Sequence, residues 1–369
     1  MRHPHTSIAE RVSAALTLVR QWVKRHPRWA IAVVVTAVLC VGAAAYAIIL
    51  FTKPAPKPAA PSPPQKQAAP KPAPKYYFPL TGLLAPDEVS TQKPITGIII
   101  ENSPDARPQS GLAAAEVVYE AIAEGGITRF LALYQQEKPQ LIGPVRSLRP
   151  YYVDWLTPYD ASIAHVGGSR KALETVRGGG YRDLDQMLNA DTYWRTRDRY
   201  APHNVYTSFE KLDGLNAAKH YTSSHPKLIE RTDPVKTPPT APHINVTVSG
   251  PWYNSTWDYR EADNIYTRSQ SGAEHVDREA GQITANVVVV LKQTMDTAWE
   301  DGPREFYQTT GSGEAIVFQN GQAQAVTWHK ASAAEQFSFT TPDGKPFPLA
   351  RGKVWLTAVP VNEGGAVSW

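Results

Sequence analysis

The sequence predicts an α/β (or α+β) N-terminal domain followed by a mainly β C-terminal domain, both behind one N-terminal transmembrane helix. Three observations predict it. An uncharged apolar run fills residues 29–51, strand-like and helix-like segments alternate from residue 76, and β-branched, aromatic segments dominate after a proline-rich break at 231–243. With 369 residues, 42% of them hydrophobic, the chain is long enough for two cores. The implied divisions are a basic tail (1–28), the membrane helix (29–51), a linker (52–75), an N-terminal domain (76–230), a second linker (231–243) and a C-terminal domain (244–369).

The run WAIAVVVTAVLCVGAAAYAIILF (29–51) is long enough to cross a hydrocarbon layer of about 30 Å. A cleaved signal peptide has a shorter apolar core followed by a small-x-small exit. This run ends in Ile48, Ile49, Leu50 and Phe51, so an uncleaved signal anchor is the reading adopted. Arg20, Lys24, Arg25 and Arg28 crowd one flank and only Lys53 and Lys57 lie close on the other, which predicts a cytoplasmic N-terminus, a plasma-membrane location and extracytoplasmic domains. Cys40 is the only cysteine, so no intrachain disulfide forms. It follows Leu39 instead of the Gly or Ala that precedes a lipidated cysteine.

Charge divides sharply along the chain. Residues 1–75 carry eleven Lys/Arg and one acid, whereas 76–369 carry 27 basic and 33 acidic residues, a net of −6, which argues against a nucleic-acid partner. The linker KPAPKPAAPSPPQKQAAPKPAPK (53–75) cannot bury a core and favours extended polyproline II.

Within 76–230, PITGIII (94–100) and EVVYEAIAE (116–124) read as strands, the latter turning at Gly125-Gly126 into GITRFLALYQ (126–135). DASIAHVGGS (160–169) reads as a strand leading into a helix with Ser169 at its N-cap, and Thr207 with Glu210 fits a capping box opening a helix to about His220. After Pro234, Pro238, Pro239 and Pro242 the pattern turns to strands, with Asn320-Gly321 the clearest hairpin signal. No repeat of 20–50 residues is present.

The candidate site starts from IGPVRSLRPYYVDW (142–155), where Arg146 and Arg149 precede a helix opened by Pro150. Guanidinium forks beside a helix start would suit phosphate or carboxylate oxygens; the alternative is that each pairs with an internal acid such as Asp154 or Asp160. Arg195, Arg197 and Arg199 would share one face if extended, and His203-Asn204 follow, either at the site or organising a turn. Asn102 and Arg107 lie in a loop after a strand end, and His165 ends a strand ahead of Gly167-Gly168, where a satisfied core histidine and a tight turn are the competing readings. Glu120 and Glu124 fall on one face and are expected to pair with Arg129 on the next strand.

There is no G-x-S-x-G, H-E-x-x-H, Walker A or dinucleotide fingerprint. His220 and His225 lack an acidic partner, so no metal site is predicted, and the tryptophans and tyrosines of the C-terminal domain read as core rather than as sugar-stacking groups. No nucleophile–base pair stands out, so the sequence does not predict an enzyme.

The blocks ARPQSGLAAAEVVYEAIAEGGITRFLALYQ, IGPVRSLRPYYVDW, RYAPHNVYTS, HVDREAGQITANVVVV, GSGEAIVFQNGQAQAVTWHK and VWLTAVP resemble the YerB-like lipoprotein family, built from two domains of unknown function. The resemblance covers about residues 79–369 and implies a bacterial, membrane-tethered, envelope-facing protein of unsettled activity. The chain departs from that family in its anchor, since a membrane helix and proline-rich spacer stand where a lipidated N-terminal cysteine is usual. In order of segments the N-terminal domain is also loosely similar to LytR-CpsA-Psr transferases. By that analogy Arg146, Arg149 and Arg199 would clamp a polyprenyl pyrophosphate, with Mg²⁺ on Asp154 or Asp160.

Three functions are therefore in play: a cofactor-free envelope module that binds an anionic wall or lipid-linked ligand (peptidoglycan or polyprenyl phosphate) or an envelope protein partner; a phosphoryl or glycan transferase; and a structural tether. The membrane itself is the partner of residues 29–51.

Overall fold

The structure is a computed structural model that describes residues 8–52, 75–222, 224 and 226–369, apart from the side chain of Glu10. The proline-rich spacer at 53–74 and His225 lie outside the described residues. The chain divides into two units, residues 1–72 and 73–369.

In the first unit the helix Pro27–Phe51 is long and apolar enough to cross a membrane, with a mean hydropathy of 2.6 over its most apolar stretch. Part of the basic tail is helical as well, over Ile8–Arg25, ending in Lys24 and Arg25 where cations suit the negative end of the helix dipole. Pro27 then begins the second helix at a position where its missing N–H costs nothing.

The second unit is built on one mixed ten-stranded sheet. Its order is Ser338–Thr340, Gln322–Lys330, Gly311–Gln319, Val287–Gln293, Val354–Pro360, Val117–Glu124, Ile127–Tyr134, Thr96–Glu101, Ser162–His165 and Arg182–Asp185. The segments on either side of the proline-rich break thus share a single sheet. The join is the late strand Val354–Pro360, which runs parallel to Val287–Gln293 on one side and to Val117–Glu124 on the other. All seven of its residues are buried, as a strand covered on both faces must be, and its composition VWLTAVP meets that demand. Between the two regions, Arg231-Thr232 pairs with Leu349-Ala350, and residues 233–239, which include three of the four prolines, form no helix or strand.

Two turns form as their residues dictate. Asn320 and Gly321 take φ of 56° and 71°, the left-handed pair that a tight two-residue hairpin needs, and join strands in register from Gln319↔Gln322. Ser162–His165 and Arg182–Asp185 run parallel, linked by the helix Arg170–Gly178 in a βαβ unit. Ser169 stands at the N-cap of that helix, but its hydroxyl makes no capping bond. The later helix, Phe209–Ala218, is capped by Ser208 Oγ on the Lys211 N–H; Thr207, the residue the sequence points to, instead donates to the Thr192 carbonyl at 2.9 Å.

Alternation along the central strand Val117–Glu124 sorts the layers. Tyr119 faces the helix Pro150–Leu156, stacking on Trp155 with ring centres 5.5 Å apart. Glu120 faces the other way, toward a second sheet ordered Ala273–Glu274, Ile265–Gln270, Ser255–Arg260, His243–Thr247, Ala366–Ser368. There Trp257 meets Trp355 edge to face at 5.4 Å.

Candidate functional site

The polar groups gather around two carboxylates that leave the strands in opposite directions. Glu120, fully buried, receives Arg268 Nη2 on both oxygens at 3.0 and 2.9 Å, Trp355 Nε1 at 3.0 Å and the hydroxyls of Thr128 and Thr357. Arg268 is itself sealed, with its guanidinium over the Trp355 ring at 4.7 Å. It also donates to His275 Nδ1, so His275 carries its proton on Nε2 and donates to Gln109 Oε1 at 2.9 Å. Burial, reinforced by the Arg268 and Arg107 charges, holds His275 well below the ordinary histidine pKa, so it is neutral.

The expectation that Glu120 and Glu124 share a face and both meet Arg129 is corrected by a register shift between Ile122 and Glu124. The irregularity turns Glu124 onto the helix side, where Arg129 Nη2 reaches it at 2.9 Å and Arg149 Nη2 at 2.5 Å. Burial opposes ionisation of Glu124, but Arg129 and Arg149 outweigh it and hold its carboxyl below the usual range. Arg149 also donates to the carbonyls of Ala123 and Leu148 and is buried. Neither Arg146 nor Arg149 pairs with Asp154 or Asp160. Asp154 accepts from Thr309, and Asp160, at a left-handed backbone position, binds Arg182.

The second centre is Glu101, a residue the sequence reading passed over. It ends the strand Thr96–Glu101, and its Oε1 accepts from His203 Nδ1 at 2.8 Å and from Ser103 Oγ at 3.0 Å, with Arg146 Nε 3.3 Å away, close enough for an ion pair but outside hydrogen-bond geometry. The carboxylate is 3% exposed, and its Oε2 has no hydrogen-bond partner among the described residues. Arg146 and His203, 57 positions apart, are thus brought onto one acid. Their side chains stay 19% and 22% exposed, and His203 Nε2 lies 4.0 Å from the exposed Asp105. Ser103 touches the same histidine nitrogen as Glu101, so this is not the relay of a nucleophilic serine, which needs the other ring nitrogen.

The remaining candidates hold loops together. Arg107 donates to Asn102, Ser271 and the Trp252 carbonyl, tying the first region to the second, and lies 5.5 Å from the Tyr253 ring. Asn102 is buried between Thr128, Gln109 and Arg107. The proposed row of Arg195, Arg197 and Arg199 does not form, because only Trp194-Arg195 is extended there. Arg195 binds Asn204, Arg199 binds the carbonyls of Asp105 and Pro108, and Asn204 closes the turn onto the carbonyls of Thr196 and Arg199. His165 is buried between the Gly167 carbonyl and Asp183, as a core histidine. Arg146 and the exposed Arg197 make no hydrogen bond through their Nη nitrogens among the described residues, and of the two Arg146 alone lies against an acid; Arg149 and Arg199 spend both of theirs internally, so Arg146, Arg149 and Arg199 do not make a clamp.

No group of three or more His, Cys, Asp or Glu suited to a metal occurs among the described residues. The sequence did hold a signal for Glu101, an acid closing an otherwise apolar strand just before the NSPDAR loop. Arg268 and His275 gave none, since their partners lie 148 and 166 positions away.

Fold and site together define a protein with a sheet-rich body, one N-terminal helix long and apolar enough to cross a membrane, and a half-open acid–arginine–histidine cluster. Residues 80–222 match the family model described as "Protein of unknown function (DUF3048) N-terminal domain", and residues 244–356 match the corresponding C-terminal domain. The chain belongs to this family. It is 32% identical over 315 residues to "Putative lipoprotein YerB" of Bacillus subtilis (strain 168), covering 82% of this chain and 92% of that protein. The crystal structure of the YerB protein from Bacillus subtilis superposes with a TM-score of 0.71 at 28% identity, covering 80% of this chain and all of that one.

Proposed function

We propose that the protein is a single-pass, membrane-anchored envelope protein with its N-terminus in the cytoplasm, whose extracytoplasmic body binds an anionic group of a wall component or lipid-linked ligand through Arg146 and His203. The observation that carries this reading is the state of Arg146: it is held in place by Glu101 through Nε while its Nη fork stays open beside a histidine. The basic flank at Arg20, Lys24, Arg25 and Arg28 supports the orientation. Binding is favoured over chemistry on the ligand because no nucleophile is paired with a base at this cluster.

The test is a thermal-shift titration of the full chain in detergent with inorganic pyrophosphate and undecaprenyl phosphate. Wild type should rise in Tm saturably, by an amount that grows with ligand concentration over Kd, and Arg146→Gln should not. A shift of equal size in Arg146→Gln overturns the reading.

A further inference from the structure

We propose a second, separate binding site on the second sheet, one that takes a chain of pyranose sugars with the Trp252 indole as its platform. It does not rest on the Arg146 reading.

Trp252 is 62% exposed, yet its backbone is fixed: its carbonyl accepts from Arg107 Nη2 at 2.8 Å, Ser271 Oγ at 2.8 Å and Gln270 Nε2 at 3.2 Å. A large ring held out on an immobilised backbone binds with little further loss of entropy. Trp252 lines a cleft of about 350 Å³ together with Arg107 and Glu274, and that cleft shares Gln270 and Ser271 with a neighbouring one of about 390 Å³. Both are within the range of small-ligand sites.

The lining of the larger cleft identifies the ligand class. None of its residues is charged, and most carry a hydroxyl or an amide. Asn245, Thr256 and Ser269 form a row across three adjacent strands, since Asn245 pairs with Thr256 and Thr256 with Ser269. Neutral donors and acceptors in the larger cleft, next to the cleft that Trp252 lines, match a sugar, whose hydroxyls lie around the edge of a ring with a C–H face. A phosphate in the larger cleft would call for cations, of which its lining has none, and an apolar peptide for an apolar floor.

The sequence reading set the tryptophans of this region aside as core, and Trp257, Trp328 and Trp355 are buried. Trp252, Trp299 and Trp369 are exposed instead, and of these Trp252, in the turn before the strand Ser255–Arg260, lines a cleft.

The experiment uses the full chain in amphipol, free of glycosidic detergent, titrated with tetramers of β-1,4-linked N-acetylglucosamine, β-1,4-linked glucose and α-1,4-linked glucose by calorimetry and tryptophan fluorescence. Saturable binding of at least one tetramer is expected, weakened at least tenfold by Trp252→Ala, with unchanged Tm, and only partly weakened by Trp252→Tyr. Arg146→Gln should bind the sugar as wild type does, and Trp252→Ala should keep any pyrophosphate response, so the two sites fail or stand separately. Thr256→Leu, which fills the cleft and spares the ring, should also weaken binding. The proposal is overturned if none of the three tetramers binds wild type at millimolar concentration, or if Trp252→Ala binds as tightly as wild type.

Discussion

Glu120 and Glu101 are both buried acids with an arginine and a histidine in their networks, yet one is sealed and the other opens to solvent. Around Glu120 every partner is buried, and the indole of Trp355 and two threonines complete its hydrogen bonds. Around Glu101 the partners Arg146 and His203 reach the surface, and one carboxylate oxygen has no hydrogen-bond partner among the described residues. The difference lies in position. Glu120 is mid-strand between two sheets, whereas Glu101 is the last residue of its strand, where the loops 102–108 and 196–204 meet. A sealed pair costs desolvation and returns uniqueness of fold; an open one leaves hydrogen-bonding capacity for something else.

The largest effect should come from breaking the sealed centre. Arg268→Ala leaves Glu120 buried without its countercharge and should cost about 3–5 kcal/mol, read by urea denaturation. The double variant Glu120→Gln/Arg268→Met removes both charges and should cost clearly less than the single one. Equal losses would show that shape, not charge, dominates there.

Next comes the pH dependence. His275 is neutral in the folded protein because its pKa is depressed, so the unfolded chain binds the extra proton first. Its contribution is fully present above the unfolded pKa of about 6.5 and is lost as pH falls below it, by up to about 1.4 kcal/mol per pH unit. His275→Gln should flatten that part of the stability–pH curve; an unchanged slope would place the proton uptake elsewhere.

The smallest stability effect belongs to the open centre. Arg146→Gln should change stability by no more than about 1 kcal/mol, because its ion pair with Glu101 is partly exposed. Its consequence should appear in ligand response instead. A loss comparable to Arg268→Ala would make the two centres alike and remove the contrast.

Much of the framework was legible because its signals are local. The apolar run before residue 52, the Gly125-Gly126 and Asn320-Gly321 turns, and the strand–helix–strand step through Arg170–Gly178 each depend on residues within a few positions of one another. Cap identity already failed at Ser208, one residue from the expected Thr207, since both are cap formers and only the chain's path selects between them.

What the sequence determined by itself was therefore many of the elements and the long apolar helix, set by short-range periodicity and turn chemistry, together with the family, legible from the resemblance of its blocks. Tertiary structure alone decided that both regions would share one sheet, because Val354–Pro360 finds its partners both in the first region, at Val117–Glu124, and in its own, at Val287–Gln293. It also decided which arginine stays open. Arg146 and Arg149 are three apart and chemically identical, and only the register shift at Ile122–Glu124 and the strand end at Glu101 give one a full set of partners and the other a half-filled one. Long-range pairing is fixed by the packing of whole layers, and no local pattern encodes it.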